Sequence, residues 1–96
     1  MPNVNVSLQI LPMVEEERIY EIVDKVIKYI DESGVKYEVG AMETTMEGDF
    51  DQLMDIVKQS QEICVKEGVL RIVSIIKIDY KPEGVTIDEK VKKYRK

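Results

Sequence analysis

The chain opens on a strict alternation. Val4, Val6, Leu8 and Ile10 fall on one side and Asn3, Asn5, Ser7 and Gln9 on the other, the period of a strand with one apolar and one polar face. Leu11-Pro12-Met13-Val14 ends this segment. Glu15, Glu16 and Glu17 follow, where acidic groups favour the positive end of a helix dipole. Ile19, Ile22, Val23, Val26, Ile27 and Ile30 then recur at helical spacing and form a single stripe. Ser33-Gly34 stops the helix, because glycine accepts the left-handed conformation that closes a last turn.

A second alternation, Val35, Tyr37 and Val39 against Lys36 and Glu38, leads to Gly40-Ala41 and to a third that starts at Met42. Two short strands joined by two residues beginning with glycine predict a hairpin. In its second strand Met42, Thr44 and Met46 share one face, and Glu43, Thr45 and Glu47 the other. After Gly48, Asp49 stands three residues before Gln52, an acidic variant of the capping box. Phe50, Leu53, Met54, Val57, Ser60 and Cys64 continue as a helical stripe that Gly68 ends. From Val69 to Tyr80 runs a β-rich stretch that is apolar on both sides, closed by Lys81-Pro82-Glu83-Gly84. Thr86, with Glu89 three residues on, can cap a short terminal helix.

The order is β-α-β-β-α-β. Two such βαβ units predict an α+β, ferredoxin-like domain: a four-stranded antiparallel sheet with two helices on one face. The chain reads as one domain over residues 1–96, with a short C-terminal extension from about residue 81. Ile22, Val26, Ile30, Val57, Val6 and Leu8 are the predicted core between helices and sheet.

Composition narrows the function. The net charge is −5, from 19 acidic and 14 basic side chains, which disfavours a phosphate-neutralising surface and so nucleic acid. Only the stretch from Lys77 to Lys96 is positive, with seven basic against four acidic residues, as solvated ends commonly are. Cys64 is the single cysteine, so neither an intrachain disulfide nor a cysteine-ligated metal site is expected. No metal or cofactor is implied. Without an apolar run of membrane-spanning length or a signal-like start, the expectation is a cytoplasmic protein with no membrane partner.

With the helices on one face, the other must meet water, a partner or a ligand. The two central strands of this topology place Asn5, Ser7 and Gln9 beside Glu43, Thr45 and Glu47 there, which a solvated sheet face would also explain. The last strand argues for cover. Leu70, Ile72, Ile76 and Ile78 on one side, with Val73 and Ile75 on the other, cannot all face one small core, and a long exposed apolar edge aggregates. Packing against another copy, as a dimer or tetramer, resolves this. A pocket floored by serine, glutamine, threonine and glutamate and walled by a second subunit suits a small polar or cationic heterocycle.

The block Tyr37-Glu38-Val39-Gly40-Ala41-Met42-Glu43-Thr44-Thr45-Met46-Glu47-Gly48-Asp49, with Thr-x-Glu-Gly at Thr45 to Gly48, resembles the signature of the small thiamine-binding-protein family, formerly a domain of unknown function. The opening strand leading to Pro12, the run Gly68-Val69-Leu70-Arg71-Ile72 and the ending Lys77-Ile78-Asp79 are similar as well, so the resemblance spans nearly the whole chain. It implies a ferredoxin-like domain assembling as dimers and tetramers, with related members binding thiamine or its hydroxymethylpyrimidine portion. On that reading Ser7, Gln9, Glu43, Thr45 and Glu47 line the ligand site. Serine, threonine and glutamine can pair with an aminopyrimidine, and Glu43 or Glu47 can face a thiazolium cation. Two positions depart from the pattern: Glu43 replaces a glycine and Ala41 a hairpin proline.

Two other classes stand beside this one. Catalysis lacks its commonest general base, since the chain has no histidine, and the carboxylates Glu43 and Glu47 alone are weak support for acid–base chemistry; the expectation is a protein that is not an enzyme. An RNA-recognition module of the same topology stacks bases on aromatics of the central strands, and none stands on this polar face. A homo-oligomeric assembly protein without a dedicated ligand needs only the apolar last strand.

Overall fold

In the computed structural model, which describes residues 2–95, the opening alternation becomes β1 (Asn3–Pro12), an inner strand of a four-stranded antiparallel sheet. The other elements are α1 (Glu16–Glu32), β2 (Lys36–Val39), β3 (Thr44–Asp49), α2 (Phe50–Lys66), β4 (Ile72–Asp79), α3 (Ile87–Val91) and a 3-10 turn at Lys92–Tyr94. The strand order is β2-β3-β1-β4. Met1 and Lys96, the last residue of the basic tail, lie outside the described residues.

The core fills the space between the sheet and the pair α1 and α2. Val4, Val6, Leu8 and Ile10 of β1 and Met46 of β3 meet Ile22, Val26 and Ile30 of α1 and Leu53, Ile56, Val57 and Cys64 of α2. All six residues predicted as core are buried. Both long helices end on a glycine with positive φ, 82° at Gly34 and 86° at Gly68, the left-handed closure that side chains resist. Asp49 caps α2 by accepting the Gln52 N–H at 3.3 Å, whereas Glu15 makes no side-chain cap on α1. There the acidic first turn acts on the dipole alone. Arg18 donates to the Glu67 carbonyl at 2.9 Å and Lys25 pairs with the Glu67 carboxylate at 2.9 Å, which ties α1 to the residue that closes α2.

Three features differ from the sequence expectation. The hairpin connection is four residues, Gly40 to Glu43, not two. The Gly40 N–H donates to the Glu43 carbonyl at 2.7 Å, and a Cβ on Gly40 would sit 3.0 Å from that oxygen; Met42 and Glu43 thus belong to the loop. The last strand is shorter than Val69 to Tyr80: Val69 returns its N–H to Cys64, and Leu70 is 98% exposed before β4 begins. Third, the face opposite the long helices is not bare. Gly84, at φ 96°, turns the chain so that the Val85 N–H donates to the Asn3 carbonyl at 2.9 Å and the Asn3 side-chain amide donates to the Val85 carbonyl at 3.3 Å, and α3 lies across one end of the open face.

Cys64 is fully enclosed in the core, and burial pushes its thiol pKa up, with a smaller contribution from nearby Glu67. Alkylation at neutral pH is expected to run more than about a hundredfold slower in the folded protein than in denaturant, since an opening that costs about 3 kcal/mol exposes the thiol less than roughly one per cent of the time. A thiol-reagent time course checks this; equal rates would place Cys64 outside the core.

Candidate functional site

The register of the sheet assembles the open face. Ser7 of β1 lies opposite Thr45 of β3 and Lys77 of β4, and Asn5 lies opposite Glu47 and Asp79. Because directly opposite residues share a face, these six side chains form two rows across the sheet. The C-terminal segment closes over the Asn5 row. Thr86 caps α3 with a full capping box, accepting the Glu89 N–H at 3.2 Å while Glu89 accepts the Thr86 N–H at 3.0 Å. Val85 and Ile87 are buried against the sheet. Four polar ties hold the segment: the Ile87 N–H donates to the Glu47 carboxylate at 2.6 Å, Lys36 pairs with Asp88 at 3.0 Å, Arg95 pairs with Glu38 at 2.8 Å, and Lys90 binds both Asp79 and the Asn5 carbonyl oxygen. Lys36 has its pKa raised chiefly by the hydrogen bond to Asp88.

Between sheet and segment lies a cavity of about 530 Å³, within the size range of small-molecule sites. Of the residues singled out from sequence, Ser7, Glu43 and Thr45 line it. Gln9 does not; it lines an adjoining depression of about 440 Å³, shared with Ser7, Glu43, Ile75 and Lys77. Glu47 stands outside both, its carboxylate turned to the backbone of α3. The cavity also recruits groups absent from the sequence-based site: Asn5, Glu38, Lys77 and Asp79 from the sheet, and Ile87, Lys90 and Arg95 from the segment. Alternation already put Asn5 on this face, but nothing in the local pattern of the tail signalled that it folds back. A third cleft, of about 360 Å³, opens between α1 and the Gly40–Glu43 loop; Ile19, Val23, Ile27 and Met42 make it largely apolar.

The electrostatics of the cavity are mixed. Lys90 and Arg95 are matched by Asp79 and Glu38. Glu43 and Lys77 have no ion-pair partner among the described residues; Lys77 ends the Ser7–Thr45 row and Glu43 stands in the loop just before β3. Hydroxyls from Ser7 and Thr45 both donate and accept, and a carboxylate accepts, so the floor can meet a heterocycle that carries an amino donor and a ring acceptor. One further group is unmet: the Asn5 amide nitrogen is buried and has no hydrogen-bond partner among the described residues, a state that costs about 1–3 kcal/mol. Among the described residues no cluster of three histidine, cysteine, aspartate or glutamate side chains could hold a metal ion, and no helix is long and apolar enough to cross a membrane.

Comparison with known proteins gives this geometry its setting. A UPF0045 protein of Clostridium perfringens is 67% identical over 95 residues, covering 99% of this chain and 100% of that relative. A solved domain of unknown function, DUF77, from Bacillus cereus superposes with a TM-score of 0.91 at 49% identity, over 98% of this chain and 91% of that one. A Thermotoga maritima protein for which a role in thiamine biosynthesis or salvage has been suggested superposes equally well, with a TM-score of 0.91 at 45% identity over 98% of this chain and 100% of that one. The family model described as thiamine-binding protein matches residues 6–95, and on that span the chain belongs to the thiamine-binding protein family.

Proposed function

We propose that this protein is a non-catalytic, homo-oligomeric binder of thiamine or its hydroxymethylpyrimidine portion, held on the open face of the sheet. The observation that carries the reading is the convergence of Ser7, Thr45 and Glu43 on a cavity that its own C-terminal segment half encloses. The hydroxyls suit an aminopyrimidine, and the unpaired Glu43 carboxylate suits a thiazolium cation or an exocyclic amine. The side left open, towards Gln9 and Ile75, is where a second copy completes the enclosure. Support for an oligomer comes from β4, whose outer edge is unpaired and whose Val73, Ile75, Ile76 and Ile78 are 36–49% exposed. Such an edge is a template for pairing.

A thermal-shift titration tests the ligand. At a hundred times its dissociation constant, a compound that binds only the folded state adds about 2.7 kcal/mol of stability. The wild type should show this shift with thiamine or with hydroxymethylpyrimidine. Thr45→Val and Glu43→Gln should fold normally and lose most of it, because each removes a polar function while nearly keeping its shape. No shift with either compound would leave the second reading, an assembly protein without a dedicated ligand, which the exposed β4 edge favours by itself.

A further inference from the structure

The Asn5 side chain sits at the meeting point of three elements. It projects from β1 between Glu47 of β3 and Asp79 of β4, it is 4% exposed, and it lines the cavity under α3. Its carbonyl oxygen accepts a 2.8 Å hydrogen bond from the Lys90 ammonium. An ammonium only donates, so the atom turned to Lys90 must be the oxygen, and the amide cannot flip without losing that bond. Its nitrogen, held in place by this constraint, is the buried side-chain donor without a partner among the described residues. Buried amide donors are normally satisfied.

We propose that the Asn5 amide is a specificity-determining donor for a ring acceptor of the bound ligand, with Lys90 of the C-terminal segment as the positioning residue that fixes its orientation. The proposal rests on the ligand-binding reading above and narrows it. The preferred ligands are flat nitrogen heterocycles with an unprotonated ring nitrogen, read by Asn5, and an adjacent amino group, read by Glu43 and the hydroxyls. Ligands that lack the ring acceptor leave the Asn5 donor unmet and are rejected, which is how a buried polar group discriminates. The nitrogen is enclosed in this structure, so α3 must yield slightly for the acceptor to arrive. This five-residue helix, joined to β4 through exposed Lys81, Pro82 and Glu83, is suited to yield. The Lys90 bond then re-forms over the ligand.

The test compares hydroxymethylpyrimidine with the two pyridine analogues in which one ring nitrogen is replaced by CH, by calorimetry on the full chain. The wild type should prefer the pyrimidine over one of the two analogues by about tenfold or more. Asn5→Leu, of similar volume, should bring that ratio close to one, and Lys90→Met should reduce it by freeing the amide, while both variants keep the wild-type circular dichroism spectrum. Independently of whether these variants fold, the Asn5 side-chain amide resonances of the wild type should move downfield when the pyrimidine is added. If the pyrimidine binds but the ratio survives in Asn5→Leu, or the Asn5 resonances stay in place, this inference is overturned while the ligand reading stands. If the wild type binds none of the three compounds, both fall.

Discussion

Leu53→Ala is expected to destabilise the protein by about 2–5 kcal/mol, the range for emptying a leucine-sized site in a packed core. Leu53 is fully buried on the face of α2 that meets the sheet, and its side chain lies where a Cβ on Gly48 would come within 3.5 Å. It therefore packs the start of α2 against the end of β3, where little can collapse into the gap. For a domain of this size each kcal/mol lowers the melting temperature by roughly 4–8 °C, and total stability is about 5–15 kcal/mol, so this single change consumes a large share. Urea unfolding gives the value directly. Leu70→Ala is the control, since Leu70 is 98% exposed and should change stability by no more than about 0.5 kcal/mol in the monomeric unit. A loss at Leu53 as small as that at Leu70 would mean that the core has been misplaced.

The second large effect concerns assembly. Light scattering at micromolar concentration is expected to give two or four times the chain mass of 11.1 kDa. Ile75→Lys combined with Val73→Lys should bring it back to a single chain. Both residues lie on the open face of an edge strand, and inward-pointing charge on an edge is how natural sheets avoid pairing. Neither is in the buried core, so the double variant should remain folded. A wild type that stays soluble as a monomer would remove the oligomeric part of the proposal and leave the cavity open on the Gln9 side.

Most of the scaffold was legible because its signals are local. Alternation over Val4 to Ile10 fixed which side of β1 is buried, and the helical spacing of Ile22, Val26 and Ile30 did the same for α1. Gly34 and Gly68 marked both helix ends. The hairpin was misjudged by two residues because Met42-Glu43-Thr44 continues a strand-like alternation, while the Gly40 to Glu43 backbone bond that makes it a loop leaves no trace in hydropathy. Ile56 was missed from the core stripe for a different reason: it widens a face that Leu53, Val57, Ser60 and Cys64 already defined. The candidate cavity was half legible. Ser7 and Thr45 follow from strand order and alternation, but Glu47 reads as a free carboxylate until α3 takes it. The fold-back depends on Asp88 finding Lys36, Lys90 finding Asn5 and Arg95 finding Glu38. Charges of both signs near a terminus look the same whether they meet water or distant partners.

The inner position of β1 also bears on how the chain is made. This strand is made before both of its neighbours, β3 and β4, and the bond that joins Asn3 to Val85 bridges 82 positions. At roughly 5–20 residues per second, translation takes on the order of 4–16 s to deliver what β1 needs. Throughout that interval an apolar strand is tethered at the ribosome with at most one side paired. Helix α1 is local and can shelter Val6 and Leu8 early, but only the segment that carries Ile87 and Lys90 can cover Asn5. Closure of the sheet and completion of the cavity thus both wait for the stretch from β4 to α3, and a nascent chain that has not yet made β4 carries an open edge of the kind that chaperones hold.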